Sequence, residues 1–101
     1  MTDLYVETAG PDSAATSLLF MHGGMGLDHS CYRPFVDALQ DEFKLVFYDH
    51  RLNGRSSRDG AESVTLDTMG ADAGHVARRF CSGTTVLVGH SFGAWVALKG
   101  T

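Results

Sequence analysis

The sequence predicts an α/β protein: a mostly parallel sheet with helices on both faces. Three observations predict it. Short apolar runs at residues 17–21, 44–48 and 84–88 alternate with segments of helical character at 30–40, 66–80 and 94–99. Strands separated by helices run parallel, because a long crossover is what returns a chain to the same end of a sheet. The last apolar run also opens into Gly89-His90-Ser91-Phe92-Gly93, a G-x-S-x-G pattern at a strand-to-helix junction.

Taken in order, Leu4-Tyr5-Val6-Glu7-Thr8 alternates as a half-exposed strand does. Gly10-Pro11-Asp12-Ser13 is a turn signal that returns the chain as a hairpin into the next strand. That strand, Ser17-Leu18-Leu19-Phe20-Met21, is short and apolar enough to be buried. It runs into His22-Gly23-Gly24-Met25-Gly26. In segment 30–40, Tyr32, Phe35, Val36 and Leu39 fall at relative positions 0, 3, 4 and 7, on one helix face. Pro34 fits only the first turn, so this helix starts near Cys31 or Tyr32. Lys44-Leu45-Val46-Phe47-Tyr48 is the next strand, and 49–62 a polar loop. Residues 66–80 read as a helix weakened by Gly70 and Gly74, each worth up to about 1 kcal/mol against alanine. Thr84-Thr85-Val86-Leu87-Val88 is the last strand and Ala94-Trp95-Val96-Ala97-Leu98-Lys99 the last helix.

Composition bounds the function classes. A chain of 101 residues forms one domain with a modest core. Hydrophobic residues at 44% and charged residues at 20% are ordinary for a globular chain. The net charge of −4 and the lack of a basic cluster argue against nucleic acid as a partner. The apolar stretches are too short to cross a bilayer, so no membrane partner is expected. The start, Met1-Thr2-Asp3-Leu4, lacks the basic and apolar blocks of a signal peptide, and a cytoplasmic location is expected. Cys31 and Cys81 follow no metal or redox spacing and read as free thiols. His22, His29 and His50 have no ligand spacing either; neither a metal nor another cofactor is expected.

The chemistry explains the residue types. A serine hydroxyl is a weak nucleophile that must be held where a base reaches it. A tight turn after a strand lifts Ser91 clear of the sheet edge, and Gly89 and Gly93 avoid collision where helix and strand cross. The Phe92 N–H, at the positive end of the new helix, is placed to donate to an oxyanion. A second donor is expected from the Gly-rich turn after residue 21, with Gly24 first and Met25 next. The competing readings are a Gly-Ser-Gly turn without consequence and a flexible strand-to-helix connection. The correct flanks on both sides oppose the first.

Three motifs now stand in one order: His22-Gly23-Gly24-Met25-Gly26, Tyr48-Asp49-His50-Arg51-Leu52-Asn53-Gly54-Arg55-Ser56 and Gly89-His90-Ser91-Phe92-Gly93. In order and spacing the chain resembles the first part of an α/β-hydrolase fold, most similar to the prolyl-aminopeptidase-like (proline iminopeptidase) branch and its esterase relatives. It differs from the aminopeptidase pattern at Met25, where proline is usual, and at Leu52, where glycine is usual. The resemblance implies a serine hydrolase acting on a small ester, amide or N-terminal peptide bond, with a small-molecule or short-peptide substrate. It implies that residues 1–101 are a partial domain ending just after the nucleophile-elbow helix. The triad acid and histidine follow the serine in the family, so both are expected beyond Thr101, and the chain alone is expected to be nearly inert. Dehalogenases and epoxide hydrolases of the fold carry aspartate at the elbow, which Ser91 does not match. The alternatives are a non-catalytic ligand-binding member of the fold and a remnant without function.

The resemblance also assigns supporting roles. His22 and Gly23 shape the oxyanion loop, with Gly89, His90 and Gly93 supporting the elbow. Asp49 and Arg51 hold the loop after the strand ending at Tyr48: the carboxylate caps amides, and the guanidinium ties down carbonyls or that carboxylate. Arg55 and Arg58 read as solvated charge. None of the five histidines serves as base. His90 points away from the pocket. His50 follows a strand two places from the elbow strand, a gap of about 10 Å. His29 and His75 fall elsewhere. The outer edge of the elbow strand would lack a partner, so self-association through an unpaired sheet edge is expected.

Overall fold

The computed structural model describes residues 4–23, 28, 29, 32, 33, 36–51, 53, 54, 56 and 65–100. They form strands β1 (Val6–Ala9), β2 (Thr16–Met21), β3 (Lys44–Tyr48) and β4 (Thr84–Gly89), helices α1 (Leu66–Phe80) and α2 (Phe92–Gly100), and a 3-10 helix at Asp37–Asp41. The sheet order is β1-β3-β2-β4. β2 lies parallel to β3, with Leu19 opposite Val46, and parallel to β4, with Leu19 opposite Leu87. β1 is antiparallel to β3, with Val6 opposite Tyr48.

This order corrects the expected hairpin. β1 pairs with β3, and β3 sits between it and β2. The turn after β1 carries the chain over the start of β3: Gly10, at φ 85°, packs so closely on the Phe43 carbonyl that a Cβ there would collide with it. Lys44 Nζ pairs with Asp12 across this junction at 3.0 Å.

Period-two alternation sends side chains to two faces. Leu19, Met21, Val46 and Tyr48 point to one, where Met69, Ala73 and Val76 of α1 and Val96 of α2 cover them. Burying each large apolar side chain contributes about 1.5–3 kcal/mol. The Tyr48 hydroxyl, buried here, has no hydrogen-bond partner among the described residues. Phe20, Leu45 and Phe47 point to the other face and pack with Tyr32 and Val36.

Helix α1 matches the expected range, and its start is defined by the sequence. The Thr65 side chain accepts the Thr68 N–H while the Thr68 side chain accepts the Thr65 N–H, a reciprocal capping box. Asp67 in the first turn and Arg78 and Arg79 in the last complement the helix dipole. The expected helix over 30–40 is corrected. Among its described residues, Tyr32, Arg33 and Val36 lie in turns and the short 3-10 helix follows, in which the Leu39 N–H bonds the Val36 carbonyl, and Leu39 stays 41% exposed. Tyr32, before this helix, accepts the Val36 N–H at its carbonyl (3.0 Å) and donates its hydroxyl to the Met21 carbonyl at 2.7 Å, at the end of β2. Both α-helices pack on one sheet face; Tyr32 and Val36, from the segment before the 3-10 helix, pack on the other among the described residues. Cys81 is a free, half-buried thiol; Cys31, Pro34 and Phe35 lie outside the described residues. None of the described helices is long and apolar enough to cross a membrane.

Candidate active site

The carboxyl ends of β2, β3 and β4 converge on one turn. Between β4 and α2, Ser91 adopts φ 56°, and among the described residues it alone combines a side chain with positive φ. A non-glycine residue there is strained by about 1–3 kcal/mol and persists only where its surroundings enforce it. The enforcement is steric. A Cβ on Gly89 would lie 2.6 Å from the Gly93 oxygen and 2.7 Å from the Ala94 nitrogen. A Cβ on Gly93 would collide with the Met21 carbonyl and lie 2.7 Å from the His22 oxygen. The two glycines let α2 fold back directly onto β4 and β2, and the turn between them is left no relaxed geometry.

The turn is exposed where it faces solvent. Ser91 is exposed, as is His90, the residue before it. The His90 N–H bonds the Met21 carbonyl at 3.2 Å, tying the turn to the end of β2. Its carbonyl takes the Gly93 N–H at 2.9 Å, and the Ser91 carbonyl takes the Ala94 N–H at 3.0 Å. Those bonds leave the Phe92 N–H, first in α2, without a backbone acceptor among the described residues. Gly23 backs onto the same turn: a Cβ there would lie 2.8 Å from His90 Nδ1 and 3.3 Å from Ser91 Cβ. Gly24, Met25 and Gly26, the expected second-donor segment, lie outside the described residues, as do Leu52, Arg55 and Arg58.

His22 and His50 are buried and face each other with ring centroids 4.1 Å apart. Burial pushes both down from the usual histidine range, His50 to about 4, with the His22 ring adding to its shift. His22 Nδ1 faces the Gly23 carbonyl at 3.1 Å, and its Nε2 accepts the His50 N–H at 3.0 Å. His29 has Asp49 at Nδ1 (2.6 Å) and Glu7 at Nε2 (3.2 Å). No histidine nitrogen is hydrogen-bonded to Ser91 among the described residues.

Asp49 is fully buried and its Oδ1 accepts the His29 N–H at 2.8 Å. Its carbonyl accepts the Ser56 hydroxyl at 2.5 Å, and Ser56 Oγ accepts the Tyr5 N–H at 2.9 Å. The Arg51 guanidinium grips Asp72 of α1 through Nε (2.7 Å) and Nη2 (2.8 Å), a partner the sequence does not name. A fork of this kind fixes orientation as well as charge, so the loop after β3 is pinned to the helix layer. Sequence reasoning missed Asp72, Tyr32 and the His22–His50 pair. Their partners lie on other elements, and only the strand order brings them together.

A family model described as the alpha/beta hydrolase family matches residues 18–101. The chain is 27% identical over 95 residues to a protein assigned as a carbamate hydrolase, RutD, of Rhizobium rhizogenes, covering 94% of this chain and 36% of that one. Among solved structures it superposes on a proline iminopeptidase-related protein from Thermus thermophilus with TM-score 0.86 and 31% identity, covering 97% of this chain and 35% of the other. It superposes on a thermophilic esterase from Thermogutta terrifontis with TM-score 0.80 and 28% identity, covering 95% and 34%. The chain thus spans about a third of the length of the relatives it matches, and with its mixed four-stranded sheet corresponds to an N-terminal portion of their fold. This chain belongs to the alpha/beta hydrolase family.

Proposed function

We propose that Ser91 is the nucleophile of a serine hydrolase that cleaves a small ester, amide, carbamate or N-terminal peptide bond through an acyl-enzyme. The observation that carries this reading is the strained, exposed Ser91 at the junction of β4 and α2. Its Oγ attacks the substrate carbonyl as a base takes the hydroxyl proton. The tetrahedral oxyanion that forms accepts the Phe92 N–H, with Gly24 as the proposed second donor. Collapse expels the leaving group and leaves Ser91 acylated; water then repeats the sequence and releases the acid. The base and its orienting acid are proposed to come from polypeptide outside these 101 residues. An esterase or aminopeptidase specificity, and a cytoplasmic setting, belong to the same proposal.

Supplying the missing base tests it. Imidazole added to the 101-residue chain is expected to raise turnover of a small nitrophenyl ester above the imidazole background. Ser91→Ala should abolish that increment. Equal increments in both proteins would sink the proposal and favour a non-catalytic member of the fold.

The sheet edge gives a second proposal, a second copy of this chain as partner. The outer side of β4 faces no strand among the described residues, and Thr84, Thr85 and Val86 are exposed, Val86 at 43%. On α2, Leu98 at 70% shares a cleft with Leu87 of β4, and Trp95 is a further exposed apolar side chain at 63%. The strand holds no charge or proline to block pairing with another chain. Light scattering is expected to report dimers or larger species, reduced by Val86→Lys. A monomer at every concentration would contradict this.

A further inference from the structure

His50 is 1% exposed, too deep to meet a substrate, yet it meets His22 at the end of β2 and Phe92 just after Ser91. The last registered pair of the β2–β3 ladder is Met21 opposite Tyr48. Beyond it the two chains stay joined through side chains. The His50 N–H donates to His22 Nε2 at 3.0 Å, and His50 Nε2 lies 3.0 Å from the His22 carbonyl. These bonds fix the tautomers. His22 accepts at Nε2, so its proton sits on Nδ1, facing the Gly23 carbonyl; His50 carries its proton on Nε2, where it donates. On its other side the His50 ring meets the Phe92 ring edge-on, with centroids 6.1 Å apart and an 82° interplanar angle. The gap of two strands is therefore bridged by a side chain. One imidazole meets both the residue before Gly23 and Phe92, the first residue of α2 and next after Ser91 in the chain.

We propose that His50 is a positioning residue that, through its Nε2–H donation to the His22 carbonyl and its edge contact with Phe92, sets the spacing of the Gly23 peptide and the Phe92 N–H on either side of Ser91. The proposal rests on the serine-hydrolase reading, because only there does the Phe92 N–H have an oxyanion to receive. A misplacement of about 1 Å at such a donor lowers rates by up to roughly a hundred-fold. Packing alone makes a different demand: a ring of the same shape would suffice.

The test compares the 101-residue chain with His50→Gln, which keeps an amide donor for the His22 carbonyl, and His50→Phe, which keeps the ring without the donor. Two readouts are taken, the imidazole-assisted acylation rate of Ser91 by a fluorophosphonate and the amide resonances of Gly23 and Phe92. His50→Phe is expected to slow acylation roughly ten- to a hundred-fold and to displace both resonances, while His50→Gln retains most of the rate and near-native resonances. The reverse order, Phe tolerated and Gln impaired, overturns the proposal in favour of packing. If His50→Phe does not fold, His50→Gln decides by itself: native Gly23 and Phe92 resonances uphold the proposal and displaced ones overturn it. If Ser91 fails to label even in the parent chain, the hydrolase reading falls. The resonances then still decide whether His50 governs the spacing.

Discussion

Gly93→Ala is expected to destabilise the chain by about 3 kcal/mol or more, enough to unfold much of a domain of this size. The added methyl would run into the Met21 carbonyl and lie 2.7 Å from both the Met21 carbonyl carbon and the His22 oxygen. All three atoms are backbone, in a buried strand end that cannot swing aside. Relief requires lifting α2 from β2, which pulls Val96 from the core and opens the Ser91 turn. Gly74→Ala is the internal control. It lies in α1, where the nearest obstacle is Arg78 Nη1 at 3.3 Å, the tip of a flexible side chain. There alanine should stabilise by up to about 1 kcal/mol through helix propensity. Urea melts of the two variants should move in opposite directions. A Gly93→Ala midpoint equal to that of the parent would mean that α2 does not press on β2 as described.

Acid should unfold the protein over a window set by the two buried histidines. Unfolded, His22 and His50 titrate near 6.5; folded, burial holds both lower, His50 at about 4. Above pH 6.5 neither state carries the protons and stability is complete. As pH falls below 6.5 the unfolded chain binds protons that the folded chain refuses, so stability is lost steadily until about pH 4. For His50 the loss amounts to roughly 3 kcal/mol over that range, with a further loss of the same sign from His22. Glu7, held below the usual carboxylate range by the Tyr5 hydroxyl and Arg33, adds its own loss only below pH 4.5. Melting temperature should therefore fall between pH 6.5 and 4, less steeply in His50→Gln. A flat profile across this window would show that the pair is not buried and neutral.

Much of this architecture was legible because local and tertiary signals agree. In α1, Met69, Ala73 and Val76 are buried at helical spacing and Thr65 supplies the cap, so periodicity alone finds its limits. The β4–turn–α2 junction is legible because Gly89 and Gly93 flank a serine for a steric reason written into their lack of side chains. Segment 30–40 misleads where it tightens into the 3-10 helix, with the Leu39 N–H on the Val36 carbonyl three residues back, a difference from an α-helix that apolar spacing does not reveal. β1 misleads because a turn signal says that the chain reverses and not which strand it joins. Long-range partners are the least legible. Arg51 names a cation in a loop, but only the packed fold selects Asp72, and His50 gains its role from a neighbour 28 residues earlier.

The central claim is that the fold prepares one serine for acylation. Limiting fluorophosphonate, with imidazole as proton acceptor, followed by peptide mapping, tests it most directly. The expected result is an adduct on Ser91 ahead of every other serine, lost when the chain is unfolded in urea, because the left-handed turn and the Phe92 N–H exist only in the folded state. Label spread over the serines without preference, or unchanged by unfolding, would contradict it.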